Sequence, residues 1–121
     1  MPAIVVAFLL GIHVGANSVT FTFRGAPEHM RAAYVAGPLA ECGSGRAVRL
    51  RGRAHFVIHF LPGRTALSFA QSRRLKGAGG AVRELAKTCD FESDLAWAIG
   101  LDRRRPYNVA RQGARVTVTF R

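Results

Sequence analysis

Arginine is the residue through which this sequence could do chemistry, because it accounts for most of the 18 basic side chains. Arg49, Arg51 and Arg53 alternate, so on a strand their guanidinium groups would line one face at a spacing of roughly 7 Å. Arg103, Arg104 and Arg105 make a second cluster at a strand end, with Trp97 before it and Tyr107 after it. Guanidinium forks match carboxylate and phosphate oxygens, and an aromatic face suits a sugar ring or a base. These eight residues mark a candidate site for a polyanion or glycan. The same arginines also read as a solvated face, and Trp97 and Tyr107 as packing residues of the core or rim.

Other chemistries are weakly supported. His13, His29, His55 and His59 invite a metal reading, yet His55 and His59, though on one strand face, stand roughly 13 Å apart, too far to share an ion. No His-Glu-x-x-His or Cys-x-x-Cys spacing occurs, so no metal and no cofactor is expected. Glu84, Asp90, Glu92 and Asp94 lie close together in sequence, but their spacing suits turn capping and arginine pairing better than acid-base catalysis. A Gly-x-Ser-x-Gly elbow and a phosphate-cradling glycine loop are both missing. The expectation is a protein that is not an enzyme.

A chain of 121 residues fits one domain, 1–121, able to bury about two-thirds of its unfolded surface. With 49% hydrophobic and 21% charged residues it reads as globular rather than disordered. The net charge of +11 attracts anions: phosphate polymers, anionic lipid headgroups or nucleic acid. An excess of arginine over lysine also follows from a GC-rich coding sequence.

Period-two alternation dominates the elements that must position these groups. Val19, Phe21 and Phe23 face one way against Thr20, Thr22 and Arg24, and Val116, Val118 and Phe120 repeat the pattern. These near-copies predict neighbouring or equivalent strands. Phe56, Ile58 and Phe60 define a third strand face, and Leu95–Leu101 is apolar enough for a central strand. Short strands separated by glycine and proline predict an all-β, antiparallel β-sandwich. Ala81–Lys87 has the propensity for two helical turns, and Thr65–Gly80 reads as the longest loop. Residues 1–18 are ambiguous. Ala3–Leu10 is an apolar run with Val14-Gly-Ala16 as a weak cleavage site, but no basic residue precedes it, and it is too short to span a bilayer.

From Asp90-Phe91-Glu92 through the strand ending Gly100-Leu101-Asp102 to Pro106-Tyr107, the order of motifs resembles the AMIN-like domain of bacterial, chiefly actinobacterial, envelope proteins. Val19–Gly25, Tyr34-Val35, Gly43-Ser44-Gly45-Arg46, Val48–Leu50, Gly52–Ala54 and Val116–Phe120 fall in the matching order, so the likeness runs from about Ala7 to Arg121. By that likeness Phe8–Val14 is a strand and Ala81–Lys87 a strand leading into Cys89. Ser93 stands where the family commonly has glycine, which bears on how tight the corner is. The lipoprotein signal and polar linker usual in the family are not seen ahead of the first strand, which implies an export signal upstream or a misassigned start.

The resemblance implies an extracytoplasmic, lipoprotein-associated module of the cell envelope or a secreted one. Cys42 and Cys89 lie beside two of its landmarks, and in an exported domain an even count favours a disulfide between them. Two unrelated buried thiols are the alternative. The implied partner is peptidoglycan or another wall-linked polyanion. Nucleic acid is the alternative partner for so basic a chain, and an envelope protein docked on a sheet edge is a third.

Overall fold

Val19, Phe21, Phe23, Val116, Val118 and Phe120 are buried and the threonines between them are not, so both near-copies are strands with one wet face. The computed structural model describes residues 5–121; the front of the apolar run Ala3–Leu10 lies outside the described residues. In chain order the strands are β1 (Ala7–Val14), β2 (Ser18–Arg24), β3 (His29–Val35), β4 (Leu39–Ala40), β5 (Ala47–Val48) and β6 (Ala54–Leu61). They continue as β7 (Gly63–Thr65), β8 (Arg74–Lys76), β9 (Val82–Phe91), β10 (Asp94–Leu101), β11 (Tyr107–Gln112) and β12 (Arg115–Phe120). One sheet has the order β11-β12-β2-β1-β7 and the other β3-β6-β10-β9-β8, with β4-β5 as a separate hairpin.

The fold is an all-β sandwich. The near-copies are neighbours: Val118 pairs with Val19 and Thr117 with Thr20, whose hydroxyls lie 3.1 Å apart on the outer face. Phe60 of one sheet meets Phe21 and Phe23 of the other at ring-centroid distances of 5.0 and 4.7 Å, in tilted and edge-on geometry. Each such pair adds about 0.5–1.5 kcal/mol beyond the area it buries. One strand pair departs from the antiparallel expectation, because β1 and β7 run parallel. Only Pro62 separates β6 from β7, so the chain changes sheets there with no room for a hairpin reversal.

β10 is central, between β6 and β9, and its apolar run has two uses. Leu95, Trp97, Ile99 and Leu101 enter the core between the sheets. Ala96 and Ala98 face outward, where Leu39, Val57 and Cys89 cover them together with Val48 and Leu50. The β4–β5 hairpin is thus a lid on the outer face, and the Cys42–Cys89 disulfide ties it down. In the loop-entropy model a bridge of this span stabilises by about 4 kcal/mol.

Three further expectations meet the structure here. β1 is a strand from Ala7, with Ala7 and Leu9 fully buried, so cleavage after Val14-Gly-Ala16 would remove an interior strand. The helical reading of Ala81–Lys87 is corrected: the segment belongs to β9, whose pairing with β10 on one side and β8 on the other outweighs helical propensity. Thr65–Gly80 is a loop only in part. It contains β8, packs Phe69 against Trp97, and uses the Gln71 amide to complete the ladder beside a bulge in β1. Gln71 Oε1 accepts from Ile12 N at 2.7 Å and Nε2 donates to Ile12 O at 2.9 Å.

Candidate functional site

The segment Arg49–Arg53 is not a strand, and this corrects the expected basic stripe. It is a loop laid across the end of β10. Gly52 has φ +113°, and a Cβ there would come within 2.6 Å of Leu101 O. A left-handed residue breaks the alternation that a strand needs, and only glycine fits so close an approach. Arg53 N donates to Leu101 O at 2.8 Å, and Arg51 N donates to Glu84 Oε1 at 3.0 Å. Glu84 also holds Arg74 at 3.1 Å, while Arg74 donates to Arg49 O at 2.7 Å. One carboxylate and one guanidinium from the β8–β9 ribbon therefore fix the loop backbone, leaving the side chains of Arg49, Arg51 and Arg53 exposed.

Arg51 and Arg53 then line one wall of a groove of about 670 Å³ at this end of the sandwich. Arg83 and Arg103 line it as well, with Gly77, Gly79 and Gly80 among the other lining residues. Gly77 and Gly80 let the backbone pack closely against its neighbours there: a Cβ at Gly80 would strike Ala16, and one at Gly77 would meet Val82 O. Asp102 is the carboxylate in the lining, and it is already engaged. Arg105 Nε and Nη2 donate to its two oxygens at 2.8 Å each. That bidentate bond holds the Asp102 carboxyl well below its ordinary value, at about 2. The groove therefore presents four guanidinium groups with no unengaged acid among its lining residues, the arrangement that attracts a multiply charged anion.

The other sequence candidates fall elsewhere. Arg49 is not part of the groove lining. Arg104 stacks on Tyr34, its guanidinium carbon 5.0 Å from the ring centroid, beside a smaller cleft shared with Arg53 and His55. Arg105 is largely buried and spent on Asp102, so it is a structural residue rather than a ligand residue. The aromatic platform is corrected too. Trp97 is fully buried at the centre of the core, out of reach of any ligand on the surface. Tyr107 is partly exposed but packs edge-on against Phe56 at 4.7 Å, closing the seam between β3 and β11. Asp90, Phe91 and Glu92 lie at the opposite end of the β9–β10 hairpin from the groove.

That corner is a two-residue turn. Phe91 pairs with Asp94, and Glu92 and Ser93 both have positive φ, 50° and 62°, as a type I′ turn requires. The corner is tight even with Ser93 in place of glycine. Among the described residues no group of three or more His, Cys, Asp or Glu could hold a metal ion. His59 Nδ1 lies 2.8 Å from Asp94 Oδ1, and His55 Nε2 lies 3.3 Å from Leu50 O.

Two contributors escaped the sequence reading. Arg83 was hidden in a segment of uncertain type, although alternation with Val82 puts it outward once the segment is a strand. Tyr34 accepts from Arg105 N at 2.9 Å and donates to Arg105 O at 2.6 Å, so it holds the turn that carries Arg103; no local pattern announces a partner so distant in the chain.

A family model described as the AMIN-like domain matches residues 3–120. The chain belongs to the AMIN-like domain family. Comparison of this AMIN-like domain with curated proteins and with solved structures returned no match. Asp90-Phe91-Glu92 and Asp102 thus lie at opposite ends of one β-hairpin in this AMIN-like domain.

Proposed function

We propose that this AMIN-like domain is a non-catalytic, extracytoplasmic envelope module that captures a polyanionic wall polymer in the groove of Arg51, Arg53, Arg83 and Arg103. The observation that carries the reading is the convergence of four guanidinium groups from three separate segments around a glycine-lined groove whose carboxylate is already engaged. The mechanism is electrostatic. Guanidinium forks pair with phosphates or carboxylates of the polymer, and the sandwich holds them at a fixed spacing.

Burial of Trp97 and the packing of Tyr107 argue against sugar stacking as the main source of affinity. The Cys42–Cys89 bridge supports an oxidising compartment, as does family membership. Peptidoglycan or a polyanion attached to it is the proposed partner. Sedimentation with purified sacculi tests this: the protein pellets at low salt and is released as salt rises, since such binding falls steeply with ionic strength. Failure to pellet at low salt, alongside tight binding to single-stranded DNA, would move the function to nucleic acid.

A further inference from the structure

The pole opposite the groove has a different chemistry. Groove and pole are separated by the length of β10, roughly 25 Å. At the far end Leu67, in the loop after β7, is fully exposed. Ala66 N donates to Leu9 O at 3.0 Å, which fixes this loop beside β1, where Leu10 is also exposed and Phe8 faces outward. Val5 is half exposed close to Gly25. Arg24 and Arg64 flank these apolar groups. Both pair through their backbones with Phe8, and the Arg24 guanidinium carbon sits 4.9 Å from the Phe8 ring centroid.

We propose that this pole seats on an anionic lipid bilayer, with Leu67 entering the boundary between headgroups and acyl chains and Arg24 and Arg64 pairing with lipid phosphates. A protruding aliphatic tip bordered by cations has the amphipathic character of an interfacial anchor. Protein interfaces instead favour broad patches of about 800 Å² per partner, rich in aromatic residues, whereas here a single fully exposed leucine stands at the rim of a cleft lined by Phe8, Arg24 and Arg64. Charge complementarity points the same way. Arg24 and Arg64 lie against Phe8 itself, while of the pole's four acids Asp90 is held by Lys87 at 3.4 Å and by the Thr65 N–H at 3.3 Å, Asp94 by His59 at 2.8 Å, and Glu28 and Glu92 remain exposed. Docked so, the domain would turn its arginine groove away from the membrane, toward a polymer lying above it.

Flotation with vesicles tests the inference independently of what the groove binds. The wild-type protein should float with phosphatidylglycerol–phosphatidylcholine vesicles and not with phosphatidylcholine alone. Leu67→Asp should lower the partition at least about tenfold, and Arg24→Gln and Arg64→Gln about fivefold each. The double variant Arg83→Gln/Arg103→Gln, at the opposite pole, should float like wild type while losing sacculus binding. Leu67 is fully exposed, so the Leu67 variant should keep the wild-type melting temperature and report on docking rather than folding. Absence of wild-type flotation, or loss in the groove variant with none in the Leu67 variant, would overturn the proposal.

Discussion

Gly100 lies directly beneath Arg51: a Cβ on Gly100 would come within 1.8 Å of the Arg51 carbonyl oxygen. The loop that brings Arg51 and Arg53 to the groove can cross β10 only because residue 100 has no side chain. Gly100→Ala should therefore lift the loop and cost about 2–3 kcal/mol through overpacking. Urea denaturation should show the loss, and polyanion binding should weaken more than it does in an equally destabilised core variant.

The turn at Glu92-Ser93 places two non-glycine residues in the left-handed region. Ser93→Gly should raise stability by about 0.5–1 kcal/mol, the relief of left-handed strain exceeding the extra chain entropy of glycine. Chemical denaturation of the single variant, and of Glu92→Asn/Ser93→Gly, is the check. A fall in stability in both would contradict the type I′ assignment.

Releasing the hairpin lid should be costly and local. Cys42→Ser/Cys89→Ser should lose about 4 kcal/mol. Hydrogen exchange should then rise first across residues 39–48, where the bond from Cys42 N to Thr88 O also anchors the lid. Exchange in β2 and β12 should change least, since those strands belong to the other sheet.

The Asp102 pair has a defined pH response. Its carboxyl is held at about 2, against an ordinary value of 3.8, chiefly by the Arg105 hydrogen bond. A depressed carboxyl contributes stability that is present above pH 3.8 and is lost as pH falls through about 2. Carboxyl carbon shifts followed by NMR should place the Asp102 midpoint well below those of ordinary carboxyls. Asp102→Asn should remove that transition and, by taking one negative charge from the groove lining, tighten polyanion binding at low salt.

Alternation of large apolar residues was enough to read the sandwich, because Val19, Phe21 and Phe23 or Phe56, Ile58 and Phe60 have one burial pattern that satisfies them. The arginine alternation at 49, 51 and 53 was misleading for the same physical reason in reverse. Polar side chains gain little from sharing a face, so their spacing does not fix a strand, and Gly52 breaks one. The groove itself was half legible. Arg51, Arg53 and Arg103 could be named, but their meeting depends on β10 ending beneath the loop, a long-range register that no local pattern encodes. Trp97 was hardest to place from sequence, since a tryptophan serves equally well in a core or on a binding surface until its neighbours are known.

On the function proposed, affinity for polyanions resides in the groove rather than in the overall charge. Titration of isotope-labelled protein with a soluble polyphosphate at low salt tests it, read through backbone amides and arginine Nε–H signals. Shifts should concentrate at Arg51, Arg53, Arg83 and Arg103 and at the amides of Gly77, Gly79 and Gly80. Shifts spread evenly over all exposed arginines, or centred on Arg111, Arg115 and Arg121, would contradict it.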